Sequence, residues 1–196
     1  MLALTDAEVM ALGDGEIVLR DGCLGAEVAS ALHAEAIALS RDLRPARMRS
    51  GRDATVRGDD LLWVEPPALA ALCAFFAALQ AELSSAAYLG LGGHEVQLAR
   101  YLPGAAYARH RDAFADATDS RRATAIYYLN PGWTEADGGQ LRVHGEGGAR
   151  DVAPLLDRLV LFRSPLVEHE VLPANAPRLA VTAWYHGPSW SPSRSS

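Results

Sequence analysis

The chain has 196 residues, 49% hydrophobic and 21% charged, which suits one domain with a sizeable core. Its formal net charge is −6 and all 18 basic residues are arginine, so a negative chain without long basic runs argues against nucleic-acid binding driven by backbone phosphates. No apolar run reaches membrane-spanning length, the first residues lack the basic head and apolar run of a secretory leader, and two cysteines make no disulfide framework. A soluble protein of the reducing cytoplasm is expected, with Cys23 and Cys73 as buried thiols in helices.

In chain order, residues 16–20 (EIVLR) read as a short strand and residues 23–40 as a helix, with Leu24, Val28, Leu32 and Ala36 as its apolar stripe. Residues 44–60 have no lasting periodicity and read as an arginine-bearing loop punctuated by Gly51 and Gly58. The cluster RPARMRSGR at 44–52 reads as solvated charge. LLWVE (61–65) is a brief strand. Residues 66–88 form a second helix, opened by Pro66 and Pro67, which forfeit no intrahelical bond in a first turn. Leu69, Cys73, Phe76, Leu79 and Leu83 would be its buried face.

From residue 94 the texture changes to short alternating segments divided by turns: HEVQLARYL, YARHRD, ATAIYYLN, QLRVHG, ARDVAP, RLVLFR, HEVLP and RLAVTAWY. No helix-length pattern interrupts them, which points to an antiparallel barrel or two-sheet sandwich. Residues 187–196 read as a frayed tail.

The chemistry concentrates in YARHRDAF. In an extended segment, residues two apart share a face, so His110 and Asp112 could approach one metal while Arg111 points away. A third ligand must come from elsewhere. His33 lies in a helix, His94, His144 and His186 at strand edges or turns, and His169 inside the strand-rich half. Two histidines and a carboxylate leave open positions on an octahedral metal, the arrangement of non-haem Fe(II) oxygenases; zinc also accepts such a set. Arg178, nine residues after His169, sits among Leu179, Ala180, Val181 and Ala183, where an arginine is expensive unless a carboxylate pairs with it. A metal at one end and a guanidinium at the other describe a site for 2-oxoglutarate. Tyr127 and Tyr128 are adjacent on a strand, so one of them faces that site, and Tyr101 could donate to a carboxylate.

With these residues in view, the chain resembles the 2-oxoglutarate and Fe(II)-dependent dioxygenases. Within them it is most similar to the prolyl 4-hydroxylase group, its oxygen-sensing members and their bacterial relatives. The resemblance runs from about residue 16 to 187 and rests on the HxD at 110–112, IYYLN, GG.L, DRLVLF, HEV and the R...T.WY pattern. It implies a mainly β fold, a double-stranded β-helix or jelly roll packed by N-terminal α-helices. It implies one domain over 1–196, with helical support at 21–88 and the jelly-roll core at about 94–187. By resemblance His110, Asp112 and His169 hold Fe(II). Arg178 and Tyr128 take the distal carboxylate of 2-oxoglutarate, Tyr101 lies near its metal-bound end, and Thr182, Trp184, Ile126 and Leu141 line the pocket. VRGDDLLWV resembles a segment that closes over a peptide, making Arg57 and Asp59 substrate-side candidates, with Arg121 near the entrance. YLPGAAYARH is one residue shorter than the matching segment of the animal relatives, which leaves the setting of Tyr101 open.

The implied cosubstrates are 2-oxoglutarate and O2, with ascorbate supporting activity. The implied reaction couples decarboxylation to succinate with hydroxylation of a C–H bond. Related halogenases lack the carboxylate found at Asp112, so its presence favours hydroxylation. The expected partner is a protein or peptide carrying a target proline, met by a monomer without nucleic acid or membrane. A free amino acid or small metabolite as substrate, and a jelly-roll binding protein without turnover, are the alternatives.

Overall fold

The computed structural model describes residues 3–46, 53, 56–113 and 121–188. The arginine cluster beyond residue 46, residues 54 and 55 of the 44–60 loop and the tail from 189 lie outside the described residues.

The first element is a helix that the reading above does not contain, α1 (Asp6–Gly13). Its start is a capping box. The Thr5 hydroxyl accepts from the Glu8 amide and the Glu8 carboxylate accepts from the Thr5 amide, which satisfies two orphan donors of the first turn. Arg20, on β1 (Val18–Asp21), donates to both oxygens of Glu8 at 2.7 and 2.5 Å and so ties the helix to the sheet. That ion pair holds the Glu8 carboxyl down at about 2.

Helix α2 (Ala26–Leu39) buries Ala29, Leu32 and Ala36. Val28, placed in the stripe by the sequence reading, is 37% exposed, because the face turned inward is set one residue further on, at Ala29. Cys23 precedes this helix instead of lying within it, and both thiols are half-buried. Helix α3 (Ala70–Ala86) buries Leu72, Phe76, Leu79 and Leu83 at spacings of four, three and four, a one-sided stripe. Cys73 is displaced from that stripe by Leu72. The helix begins after the two prolines, since Leu69 takes a left-handed backbone (φ 49) that helical hydrogen bonding cannot include. Leu69 is itself fully buried, and its amide donates to Glu35 of α2.

The rest is antiparallel sheet. β2 (Arg44–Pro45), β3 (Asp60–Trp63), β4 (Gly93–Tyr101), β5 (Tyr107–His110) and β6 (Arg121–Tyr128) come first. β7 (Leu141–Gly145), β8 (Gly148–Val152), β9 (Arg158–Phe162), β10 (Glu168–Val171) and β11 (Arg178–His186) follow. They form a seven-stranded sheet in the order β1-β9-β6-β11-β4-β3-β2 and a four-stranded sheet in the order β5-β10-β7-β8. With the N-terminal helices flanking them, the two sheets make the jelly-roll architecture expected from the sequence. The N-terminal segment is more than helical support, since it supplies β1, β2 and β3 to the larger sheet.

The larger sheet is buried on both faces. Val96, Leu98, Tyr127, Leu159, Val181 and Tyr185 pack with the helices on one side. Ala99, Tyr101, Ile126, Tyr128, Val160 and Ala180 face the smaller sheet on the other. This explains why its central strands read as near-continuous apolar runs, and why Tyr127 and Tyr128 point to opposite layers. Asp157 clasps the layers together. Buried and left-handed (φ 62), it accepts from the Tyr127 hydroxyl at 2.6 Å and from the Leu24 and Gly25 amides at the start of α2.

Candidate active site

Between the two sheets lies an open cleft, bordered by side chains of both. Strand register decides what borders it. β10 pairs with β5 so that His169 stands opposite His110, and their rings lie 4.4 Å apart. Asp112 completes the group, with ligand atoms of the three residues all within 4.8 Å of one another. The carboxylate does not arrive by strand alternation as the sequence suggested. β5 ends at His110 and Asp112 sits in the bend that follows. There Arg121 donates to its main-chain oxygen at 3.1 Å, and the Thr124 hydroxyl donates to Oδ2 at 2.8 Å. Thr124 shares a further hydrogen bond of 2.8 Å with the buried Ser164.

Protonation suits metal binding. Nδ1–H of His110 can donate to the Ala108 carbonyl at 2.8 Å and that of His169 to the Val167 carbonyl at 3.3 Å, which leaves each Nε2 lone pair for a metal. Burial lowers the pKa of His169 and keeps its ring neutral. Burial opposes ionisation of Asp112, but His169, His110 and Arg121 outweigh it and hold the carboxyl well below its usual range. Two imidazoles and one carboxylate thus converge, with 3.5 and 3.9 Å between Nε2 and carboxylate oxygen, an arrangement able to hold a divalent ion.

At the other end of the cleft is Arg178, 3% exposed and first residue of β11. Its guanidinium lies 4.8 Å from the ring centre of Tyr101 and 5.0 Å from that of Tyr128. No carboxylate pairs with it among the described residues, and its Nε and the Tyr128 hydroxyl are sealed without hydrogen-bond partners. A buried cation flanked by an unbonded phenol is costly unless an anion completes it. Burial pushes the Tyr128 phenol up against the lowering pull of Arg178, so the hydroxyl keeps its proton and can donate. Two local features put the guanidinium there. Asn130 bonds both the amide and the carbonyl of Leu179, at 2.7 and 3.0 Å, and so fixes the strand beside it. Gly139, at φ 71, lies so close that a Cβ would fall 2.8 Å from Arg178 Cδ.

Of the other residues singled out from sequence, Tyr101, Ile126, Leu141, Thr182 and Trp184 border the cleft, as do Arg57 and Asp59. Tyr128 stands behind the lining, beside Arg178. Arg57 and Asp59 are bonded to each other at 2.7 and 3.0 Å. Arg57 also crosses the ring of Tyr107, which stacks on His110 at 3.8 Å. Residues 56–58 run alongside β5, with Gly58 N donating to Ala106 O and Ala108 N to Val56 O. Arg121 is outside the lining; it stacks on Trp184 at 4.4 Å and pairs with Glu95 at 2.7 Å. Thr124, Tyr107, Gln97 and Val171 were missed. Gln97 carried a readable signal, because it shares the period of Ala99 and Tyr101 on β4.

Comparison with known proteins agrees with this geometry. The profile of the 2OG-Fe(II) oxygenase superfamily matches residues 96–186. Egl nine homolog 1 of Homo sapiens is 45% identical over 89 residues, covering 42% of this chain and 20% of that protein. Its counterpart from Rattus norvegicus is matched over 25% of its length, so the aligned part is a quarter or less of these relatives. A prolyl-4-hydroxylase from Pseudomonas putida superposes with a TM-score of 0.84 at 36% identity, over 92% of this chain and 97% of that one. A prolyl hydroxylase from Trichoplax adhaerens, solved in complex with a hypoxia inducible factor oxygen degradation domain peptide fragment, gives a TM-score of 0.83 at 28% identity, over 91% and 86%.

Proposed function

Since the chain belongs to the 2OG-Fe(II) oxygenase superfamily, in the group of the prolyl 4-hydroxylases, we propose that it hydroxylates a prolyl residue of a protein substrate. The observation that carries this reading is the pairing, across one cleft, of a His-Asp-His cluster with a buried arginine that has no carboxylate partner among the described residues.

In this reading His110, Asp112 and His169 hold Fe(II), and Arg178 with the Tyr128 hydroxyl binds the distal carboxylate of 2-oxoglutarate. When bound, the iron and its cosubstrates supply an oxidant: one oxygen atom of O2 ends in the substrate C–H bond and the other in succinate, as carbon dioxide leaves. The chain's part is placement. Strands β5, β10 and β11 fix the ligands and the arginine relative to one another. Ile126, Leu141 and Val171 keep the chamber apolar, which strengthens the charge pairing within it. Tyr101, whose phenol burial holds protonated, is a donor beside the arginine. Arg57 and Asp59 wall the substrate side. The similarity to a hydroxylase solved with a peptide fragment supports a polypeptide as substrate.

The direct test is incubation of the iron-loaded protein with 2-oxoglutarate and a proteome extract, followed by mass spectrometry. Gain of one oxygen atom on proline is expected, and a gain confined to other residue types would remove the prolyl assignment.

Thr124 supports the metal site in a way that can be measured without turnover. Its hydroxyl occupies one oxygen of Asp112 and leaves the other to the metal. Thr124→Val should weaken Mn(II) affinity by about 10–100-fold while Thr124→Ser restores it, read by calorimetry.

A further inference from the structure

Resting on that reading, we propose that Gln97 is a specificity-determining residue. Its side-chain amide N–H is the donor that takes a main-chain carbonyl oxygen of the substrate, so that the cleft selects proline embedded in a polypeptide over the free amino acid.

The orientation of Gln97 follows from its neighbour. Nη2 of Arg57 lies 2.9 Å from Oε1 of Gln97, and Arg57 is itself clamped by Asp59. A guanidinium only donates, so the side-chain oxygen of Gln97 must face it and the NH2 group must lie on the other side. Gln97 is 3% exposed and borders the cleft, yet no described group accepts from its amide nitrogen. A donor in the cleft wall without a protein partner is open to a ligand oxygen, which would complete it. Next to it on the same face is a second donor. Gln97 pairs in register with Thr182, and Trp184, two residues along β11, has a sealed Nε1–H without a partner.

Distance separates these donors from the cosubstrate's far end. Gln97 is four residues from Tyr101, the register partner of Arg178, which is about 13 Å along an extended strand. A five-carbon diacid anchored at Arg178 has a backbone of at most about 6 Å, four C–C bonds of about 1.5 Å each. Charge then selects the form of the substrate. Arg57 is paired with Asp59 and Arg121 with Glu95, so the charged groups nearest to Gln97 are already neutralised by each other. A free amino acid brings a carboxylate and an ammonium, and beside Gln97 it meets Arg57 and Arg121 already paired with Asp59 and Glu95. A peptide carbonyl brings an acceptor alone and needs a neutral donor.

The test uses the full chain loaded with iron and 2-oxoglutarate. The probes are end-blocked pentapeptides with a central proline and varied flanks, set beside free L-proline. Wild type should oxidise peptides and leave L-proline untouched; equal turnover of L-proline would overturn the inference. On the best peptide, Gln97→Met, which keeps chain length and removes the amide, should raise peptide KM about threefold to tenfold with kcat held. Gln97→Glu, which sets a carboxylate against the carbonyl, should raise it further. Unchanged peptide KM in both variants, or a shift that appears in 2-oxoglutarate KM instead, would overturn the assignment. So would loss of Mn(II) affinity in the variants, since it would make Gln97 a structural support. No oxidised proline from the wild type on any peptide would reject the parent reading itself, a result distinct from all of these.

Discussion

Asp112→Ala should cost at least about a hundredfold in Mn(II) affinity and abolish product formation, since even the supporting partners of a metal ligand are worth about 10–100-fold. The carboxylate is the sole anion of the cluster. It is 8% exposed and stays ionised because two imidazoles and Arg121 outweigh its burial. Alanine leaves two imidazole rings facing each other 4.4 Å apart with no negative charge to neutralise a divalent ion. The rest of the fold has little reason to move. The main-chain oxygen that Arg121 grips survives the substitution, and the Thr124 hydroxyl retains Ser164. Calorimetric titration with Mn(II), alongside the unfolding midpoint of the metal-free protein, separates the two effects. Ordinary metal binding in this variant would remove the cluster from the site.

Arg178→Ala is the second large expectation, and it falls on a different quantity. Two charge-assisted hydrogen bonds to a carboxylate, at about 1.5–3 kcal/mol each, correspond to a rise of about 10²–10⁴-fold in 2-oxoglutarate KM. Mn(II) affinity should hold, because no metal-ligating atom is disturbed. Gly139→Ala provides an independent approach to the same guanidinium. The added methyl would lie 2.8 Å from Arg178 Cδ on a left-handed backbone, and the arginine must shift to admit it. It should raise 2-oxoglutarate KM and lower stability by about 1–3 kcal/mol. Cosubstrate dependence unchanged in both variants would show that Arg178 has another partner.

Much of the architecture was legible because alternation and turn residues mark strands locally. Where a residue lies across the sheets depends on register, which no single segment encodes. Asp112 shows the difference. Its spacing from His110 suggested a shared strand face, and the structure instead brings the carboxylate in from a bend, steadied by Arg121 and Thr124. Arg178 could be singled out from its apolar surroundings alone, whereas the need for glycine at 139 emerges only once the arginine is seen against it. Helix α1 went unread even though T-D-A-E spells out a capping box, because its eight residues bury just Leu12 and so show no apolar stripe. Arg57 and Arg121 looked like charges offered to a substrate. Asp59 neutralises the first from just before β3, and Glu95 on β4 neutralises the second across 26 residues, a contact only the fold reveals.

The short run of residues 56–58 has a consequence for how the entrance behaves. It covers the outer edge of β5 with two main-chain bonds, and its arginine lies over the tyrosine that stacks on His110. Were this run to peel away, the edge amide of Ala108 and the support behind an iron-binding imidazole would be lost in the same movement. Opening of that edge and loosening of the imidazole would therefore be mechanically linked, and deuterium uptake at Ala108 would act as a gauge of both.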